Sequence, residues 1–65
     1  MLKINRYRVI LDSLDENNII KVSNLVNLLK VTETTIRLDF KRLEKLGLLV
    51  RVRGGAKKRL LRLLN

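Results

Sequence analysis

A chain of 65 residues makes one domain and buries only about 60% of its unfolded surface, so its stability margin is narrow. It has no cysteine or histidine, which removes disulfides, thiolate chemistry and the commonest metal ligand and acid–base group; its longest apolar runs, Val9–Leu11 and Leu48–Val50, are too short to span a bilayer. The net charge of +9 is segregated, with five cations against four anions in residues 1–33 and ten against two in residues 34–65, and that asymmetry points to a polyanionic partner, DNA or RNA.

Ile4, Tyr7, Ile10, Leu11 and Leu14 recur at helical spacing, which predicts a first helix over residues 3–14 that stops in the polar cluster Asp15-Glu16-Asn17-Asn18. Residues 19–22, Ile-Ile-Lys-Val, read as one short strand in need of a partner. Ser23 is placed to cap a second helix over residues 23–30, with Leu25, Leu28 and Leu29 on its apolar side. Val31 plugs the gap before a third helix over residues 32–46, with Thr32 as its cap and Glu33 facing the positive helix end. Helix, short turn and helix form the helix-turn-helix arrangement.

At 100° per residue, Ile36, Phe40 and Leu43 share a narrow stripe of the third helix, its buried face. Thr34, Leu38, Lys41 and Lys45 lie opposite, flanked by Thr35, Arg37 and Arg42; a leucine in that outward set is the odd member. Gly47 ends the helix in the left-handed conformation. The period then changes to two, with Leu48, Val50 and Val52 on one side and Leu49, Arg51 and Arg53 on a basic other side. Gly54-Gly55 forms the turn of a hairpin over residues 48–60, and Ala56–Arg59 carries the return strand, with Leu60 available to rejoin the core. The tail 60–65, LLRLLN, fits either a strand end or a short helix. The expected fold is mainly α with a small β-hairpin: three helices and a C-terminal wing in one domain over residues 1–65.

Thr34, Thr35, Arg37 and Leu38 form the base-reading set of the third helix. Thr35 and Arg37 sit early enough to meet base edges, Arg37 by a bidentate fork to guanine; Thr34 either bonds to phosphate or offers its methyl to thymine, and Leu38 packs on a thymine methyl. Ser23 and Thr32 at helix starts, with Lys41, Arg42 and Lys45 further along, are assigned to phosphates, which fix position rather than sequence. Arg51, Arg53, Gly54, Gly55, Lys57, Lys58 and Arg59 form the wing set; Gly54-Gly55 serves either as a turn alone or also as a place where backbone approaches ligand. Asp39 reads as a local partner of Arg42 or of a backbone amide. No constellation here suits catalysis, and neither a metal nor a cofactor is expected.

VTETTIRLDFKRLEKLG followed by LLVRVRGGA resembles the N-terminal winged helix-turn-helix domain of DeoR-family bacterial transcriptional regulators. That domain typically carries V-S-x-x-T-I-R-R-D-L, then L-x-x-L/E-x-x-G and an R-x-H-G-G-A wing, and the likeness extends from near Arg6 to Ala56. Thr32 matches the serine cap; Thr35, Ile36, Arg37 and Asp39 match directly; Phe40 stands where leucine is usual; Leu38 replaces the second arginine and Arg53 the wing histidine. The resemblance implies sequence-specific binding of double-stranded DNA by a homodimer or a pair of domains, in a cytoplasmic, nucleoid-associated repressor of sugar or nucleoside metabolism genes. It also implies a larger C-terminal domain that binds a small-molecule effector, so that this chain is either a DNA-binding fragment or a short regulator. The competing reading is a winged-helix protein-protein interaction module, favoured by Leu38 and the leucine-rich tail.

Overall fold

The computed structural model describes residues 2–59, so the expectations for Leu60 and the tail lie outside the described residues. The element order is α1 (Lys3–Asn17), β1 (Ile19–Lys21), α2 (Val22–Leu29), α3 (Glu33–Lys45), β2 (Leu49–Val52) and β3 (Gly55–Lys58). Three helices packed on a small antiparallel sheet, mostly helical, make a winged helix-turn-helix.

Helix α1 runs one turn further than its apolar pattern. Asp15, Glu16 and Asn17 continue the helix, and it is Asn18, at φ 67°, that stops it while its N–H bonds to the Leu14 carbonyl at 2.8 Å. Polar side chains do not break a helix by themselves; asparagine does so here because it tolerates the left-handed region. Tyr7, Ile10, Leu11 and Leu14 face the core as expected, whereas Ile4 is 69% exposed and stays outside it.

Helix α2 starts at Val22, one residue before the expected cap, so Ser23 lies exposed inside the first turn and caps nothing. The reason is tertiary: Val22 is buried, and its N–H donates to the Gly54 carbonyl of the wing turn at 2.9 Å. Lys30, at φ 58°, closes the helix with its N–H on the Val26 carbonyl. Leu25 is buried but Leu28 is exposed, and Val31 packs against the core in the gap between α2 and α3.

Helix α3 is capped as its sequence suggests. The Thr32 hydroxyl accepts from the Thr35 N–H at 3.2 Å, and Glu33 occupies the first turn. At the other end Gly47, at φ 81°, donates to the Glu44 carbonyl and Leu48 donates to the Leu43 carbonyl, each at 2.9 Å. That pair of bonds is a Schellman closure, and it satisfies two carbonyls that the helix leaves unpaired.

The sheet has the order β1-β3-β2, which gives the isolated N-terminal strand its partner: Ile20 lies opposite Ala56 and Lys21 opposite Gly55. Strand β2 pairs with β3 from Leu49↔Lys58 to Val52↔Gly55. The two-residue turn is therefore Arg53-Gly54, not Gly54-Gly55, with Gly54 at φ 76° and Gly55 already in the strand. The strand faces also differ from the alternation read in sequence. Leu49 is buried and Leu48 half exposed, because Leu48 is spent in the helix closure and the sheet begins at Leu49 with its side chain towards the helices.

Ile10, Leu14, Ile20, Val22, Leu25, Ile36, Phe40, Leu43, Leu49 and Ala56 form one core, contributed by every element. At about 1.5–3 kcal/mol for each large side chain taken from water, the anchoring of α3 rests on Ile36, Phe40 and Leu43, each almost wholly buried.

Candidate nucleic-acid interface

The surface that meets a partner is assembled around the outer side of α3. Burial of Ile36, Asp39, Phe40 and Leu43 turns the opposite side of the helix outwards, and that side carries Thr34, Arg37, Leu38, Lys41, Arg42 and Lys45. Leu38 is 61% exposed in the middle of this cationic set, as its angular position requires. Thr35 is half-buried on the α1 side; its backbone N–H is held by Thr32, and its hydroxyl lies 3.0 Å from the Thr32 hydroxyl.

A hollow flanks α3 on each side. On the wing side, a volume of about 410 Å³ is lined by Arg37, Glu44, Arg51 and Arg53, over a floor of Val22 and Phe40. On the α1 side, a volume of about 530 Å³ is lined by Lys3, Arg6, Leu38, Lys41, Arg42 and Lys45. Cations thus border both edges of a protruding helix, the distribution that a helix entering a groove between two phosphate strands requires.

Three carboxylates hold this surface in shape. Asp39, only 3% exposed, receives the Arg6 guanidinium in a two-pronged pairing, with Nη2 to Oδ1 at 2.9 Å and Nε to Oδ2. The partner expected for Asp39 was Arg42 or a local amide; the true partner comes from α1, 33 residues away in sequence. This hydrogen bond drives the Arg6 guanidinium further into its charged range, against the opposing effect of burial. The pair ties α3 to α1.

Glu44 joins α3 to the wing. Its Oε2 accepts the backbone N–H of Arg51 at 2.9 Å, and its Oε1 accepts the Arg51 Nε at 2.8 Å. Those bonds lower the Glu44 pKa below the usual carboxylate range, the backbone bond most. Arg51 is accordingly anchored in place, with the outer edge of its guanidinium still open to the hollow. Glu33, at the start of α3, holds Arg37 through Nε at 2.7 Å and Nη2 at 2.6 Å.

The wing residues divide into two groups. Arg51 and Arg53 lie beside α3, Arg53 in the turn with Gly54. Lys57 lies opposite Ile19 and Val50, on the sheet face turned away from the helices, while Lys58 reaches Asp15 of α1 at 3.2 Å. Lys57, Lys58 and Arg59 border one hollow near Asn18, at the end of the hairpin remote from its turn. Gly55 is buried against the backbone of β1, where an added Cβ would lie 2.0 Å from the Ile20 carbonyl oxygen; its close neighbour is β1. Ser23 lies exposed on α2 and Thr32 at the start of α3, and both keep hydroxyls at the surface.

Sequence reasoning passed over Lys3, Arg6, Glu33 and Glu44 as parts of this surface. The Glu33–Arg37 spacing of four residues on a helix is a local signal that finds one of these pairs. The others join elements distant in sequence. Among the described residues there is no group of three acidic, histidine or cysteine side chains able to hold a metal, and no helix long and apolar enough to cross a membrane.

Comparison with known proteins agrees with this architecture. Residues 6–59 match the model of the DeoR-like helix-turn-helix domain. The chain is 41% identical over 58 residues to an uncharacterized HTH-type transcriptional regulator, FruR, of Bacillus subtilis, covering 89% of this chain and 23% of the relative. It is 39% identical over 57 residues to the lactose phosphotransferase system repressor of Streptococcus mutans, covering 88% and 23%. It is 41% identical over 56 residues to the HTH-type transcriptional regulator GolR of Listeria innocua, covering 86% and 22%. The chain thus spans less than a quarter of the length of these relatives. No solved structure matches it. The motif in α3, the Gly-Gly wing and the match over residues 6–59 together establish that the chain belongs to the DeoR-like helix-turn-helix family.

Proposed function

We propose that this domain binds double-stranded DNA sequence-specifically, as the reading head of a bacterial transcriptional regulator. The family is one of regulators and not of enzymes. The observation that carries the reading is the placement of Thr34, Arg37, Leu38, Lys41 and Lys45 on the outward side of a helix bordered by two cation-lined hollows. In this reading α3 enters the major groove, Arg37 and Thr34 meet base edges, and Lys41, Arg42, Lys45, Arg51 and Arg53 meet the flanking phosphates. Leu38 packs on a thymine methyl. Lys57, Lys58 and Arg59 lie at the end of the hairpin remote from its turn and act through long-range attraction, while Ser23, next to Val22 of the wing-side hollow, and Thr32 at the start of α3 meet flanking phosphates.

Repression of carbohydrate genes is the biological role that the lactose phosphotransferase system repressor supports. Pairing of two domains, an effector-binding C-terminal part and a cytoplasmic, nucleoid-associated location belong to the same proposal. The test is a fluorescence-anisotropy titration against an enriched duplex and a random duplex pool, with salt varied. With about six phosphates neutralised, the logarithmic salt slope is about −5. Arg37→Ala relaxes sequence preference, whereas Lys41→Ala weakens binding to all duplexes alike. Equal affinity for every sequence refutes specific reading.

The second reading, a winged-helix module that docks on protein, is favoured by the exposure of Leu38. A chemical-shift response to duplex DNA that spares residues 32–45 decides for it.

A further inference from the structure

One group on this surface is of the wrong charge for a polyanion: Glu33, a carboxylate in the first turn of a helix whose charged outward residues are otherwise cations. Glu33 holds the guanidinium of Arg37 by a single oxygen, Oε2, which takes both Nε (2.7 Å) and Nη2 (2.6 Å). Arginine has five N–H donors, and this contact uses the side edge of the fork. The end-on edge, one N–H from each Nη, is left, and that edge suffices to donate to guanine O6 and N7 together.

We propose that Glu33 is a specificity-determining residue, which keeps Arg37 for a base edge by making its use on a phosphate unfavourable. The inference rests on the reading of this domain as a DNA binder. Two contacts compete for Arg37. An end-on contact with guanine leaves the Glu33 pairing in place. A contact with phosphate, by whichever edge of the fork, brings the Glu33 carboxylate beside a second, full negative charge, which guanine O6 and N7 do not carry. In water the exposed pair has little strength, but docking excludes solvent and strengthens both the pairing and the repulsion. Glu33 therefore lowers affinity for the random duplex more than for the cognate one. Leu38, the residue after Arg37 and 61% exposed, adds to this by offering phosphates nothing.

The experiment compares Glu33→Gln with the unaltered 65-residue chain on two probes: a duplex enriched from a random pool by the unaltered chain, and the random pool itself. Thermal melts of each variant confirm that it is folded. Expected for Glu33→Gln is a rise of about fivefold in affinity for the pool and of less than about twofold for the enriched duplex, with a steeper salt slope on the pool only. In an Arg37→Met background the same change shifts both probes equally, because Glu33 then acts only as a general negative charge. Equal shifts on both probes in the Arg37 background overturn the inference while leaving DNA binding intact. Failure of the unaltered chain to enrich any sequence removes the DNA reading itself, and the inference with it.

Discussion

Replacing Gly55 by alanine is the sharpest test of how the wing is fastened. A Cβ at this position falls 2.0 Å from the Ile20 carbonyl oxygen, 3.0 Å from its carbon and 3.1 Å from the Lys21 Cα, all backbone atoms. No side-chain rotation relieves such contacts, so β1 and β3 must separate by more than about 1 Å before ordinary van der Waals distance is restored. Separation weakens the β1–β3 ladder and the bond from the Val22 N–H to the Gly54 carbonyl, and it opens the packing of Ile20 on Ala56. Overpacking costs about 1–3 kcal/mol and each lost hydrogen bond about 1 kcal/mol, which puts Gly55→Ala at about 3–5 kcal/mol. That is comparable to the whole stability of a domain at the low end of the usual 5–15 kcal/mol range. The neighbouring Gly54 supplies the control: its φ is 76° but nothing lies within 4 Å, so Gly54→Ala costs only the left-handed strain, about 1–2 kcal/mol. Urea titration followed by circular dichroism measures both. Equal losses for the two substitutions, or a Gly55→Ala protein as stable as the parent, refute the account of a strand-to-strand close approach.

Two further outcomes are expected. Arg6→Met strands the buried Asp39 carboxylate and lowers stability by about 3 kcal/mol, and adding Asp39→Leu recovers part of the loss; denaturant titration of the single and double variants reads this. A loss below about 1 kcal/mol for Arg6→Met shows that the pair does not brace α3. Glu44 is held ionised below the usual carboxylate range, so its stabilisation is complete above its unfolded pKa and is lost as pH falls through the lower folded value. In Glu44→Gln the acid-induced loosening of the wing near that range disappears, which NMR shifts of Arg51 and Val52 follow across an acid titration.

What was legible in the sequence was local. The Thr32 cap, the Gly47 closure and the Ile36-Phe40-Leu43 stripe are set by residues within one or two turns of each other, and their chemistry shows in the letters. Ser23 misled because the start of α2 is set by the burial of Val22 and by a carbonyl more than 30 positions away. Asp39 misled for the same reason, since its partner lies on α1. The adjacent glycines looked equivalent, yet one supplies a left-handed turn and the other a gap for a neighbouring strand; only the pairing of β1 with β3 separates them. On the surface, the outward set of α3 followed from angle alone. Lys57 and Lys58 leave the recognition side because both lie at the end of β3 remote from the turn, Lys57 on the outer sheet face and Lys58 against Asp15 of α1, a placement that only the pairing of the strands reveals.

The strand order has a consequence for how the chain comes to be folded at all. β3 is the last described strand to be made but the middle one in space, and β1 has no partner until it arrives. During synthesis the three helices emerge with their sheet unclosed, and the Ile20–Ala56 pairing must bridge the entire helix-turn-helix. That long closure belongs to the slow, non-local part of folding. A nascent chain stalled before Lys58 therefore exposes the apolar residues that the finished sheet covers, and the domain becomes one cooperative unit only when its wing is complete.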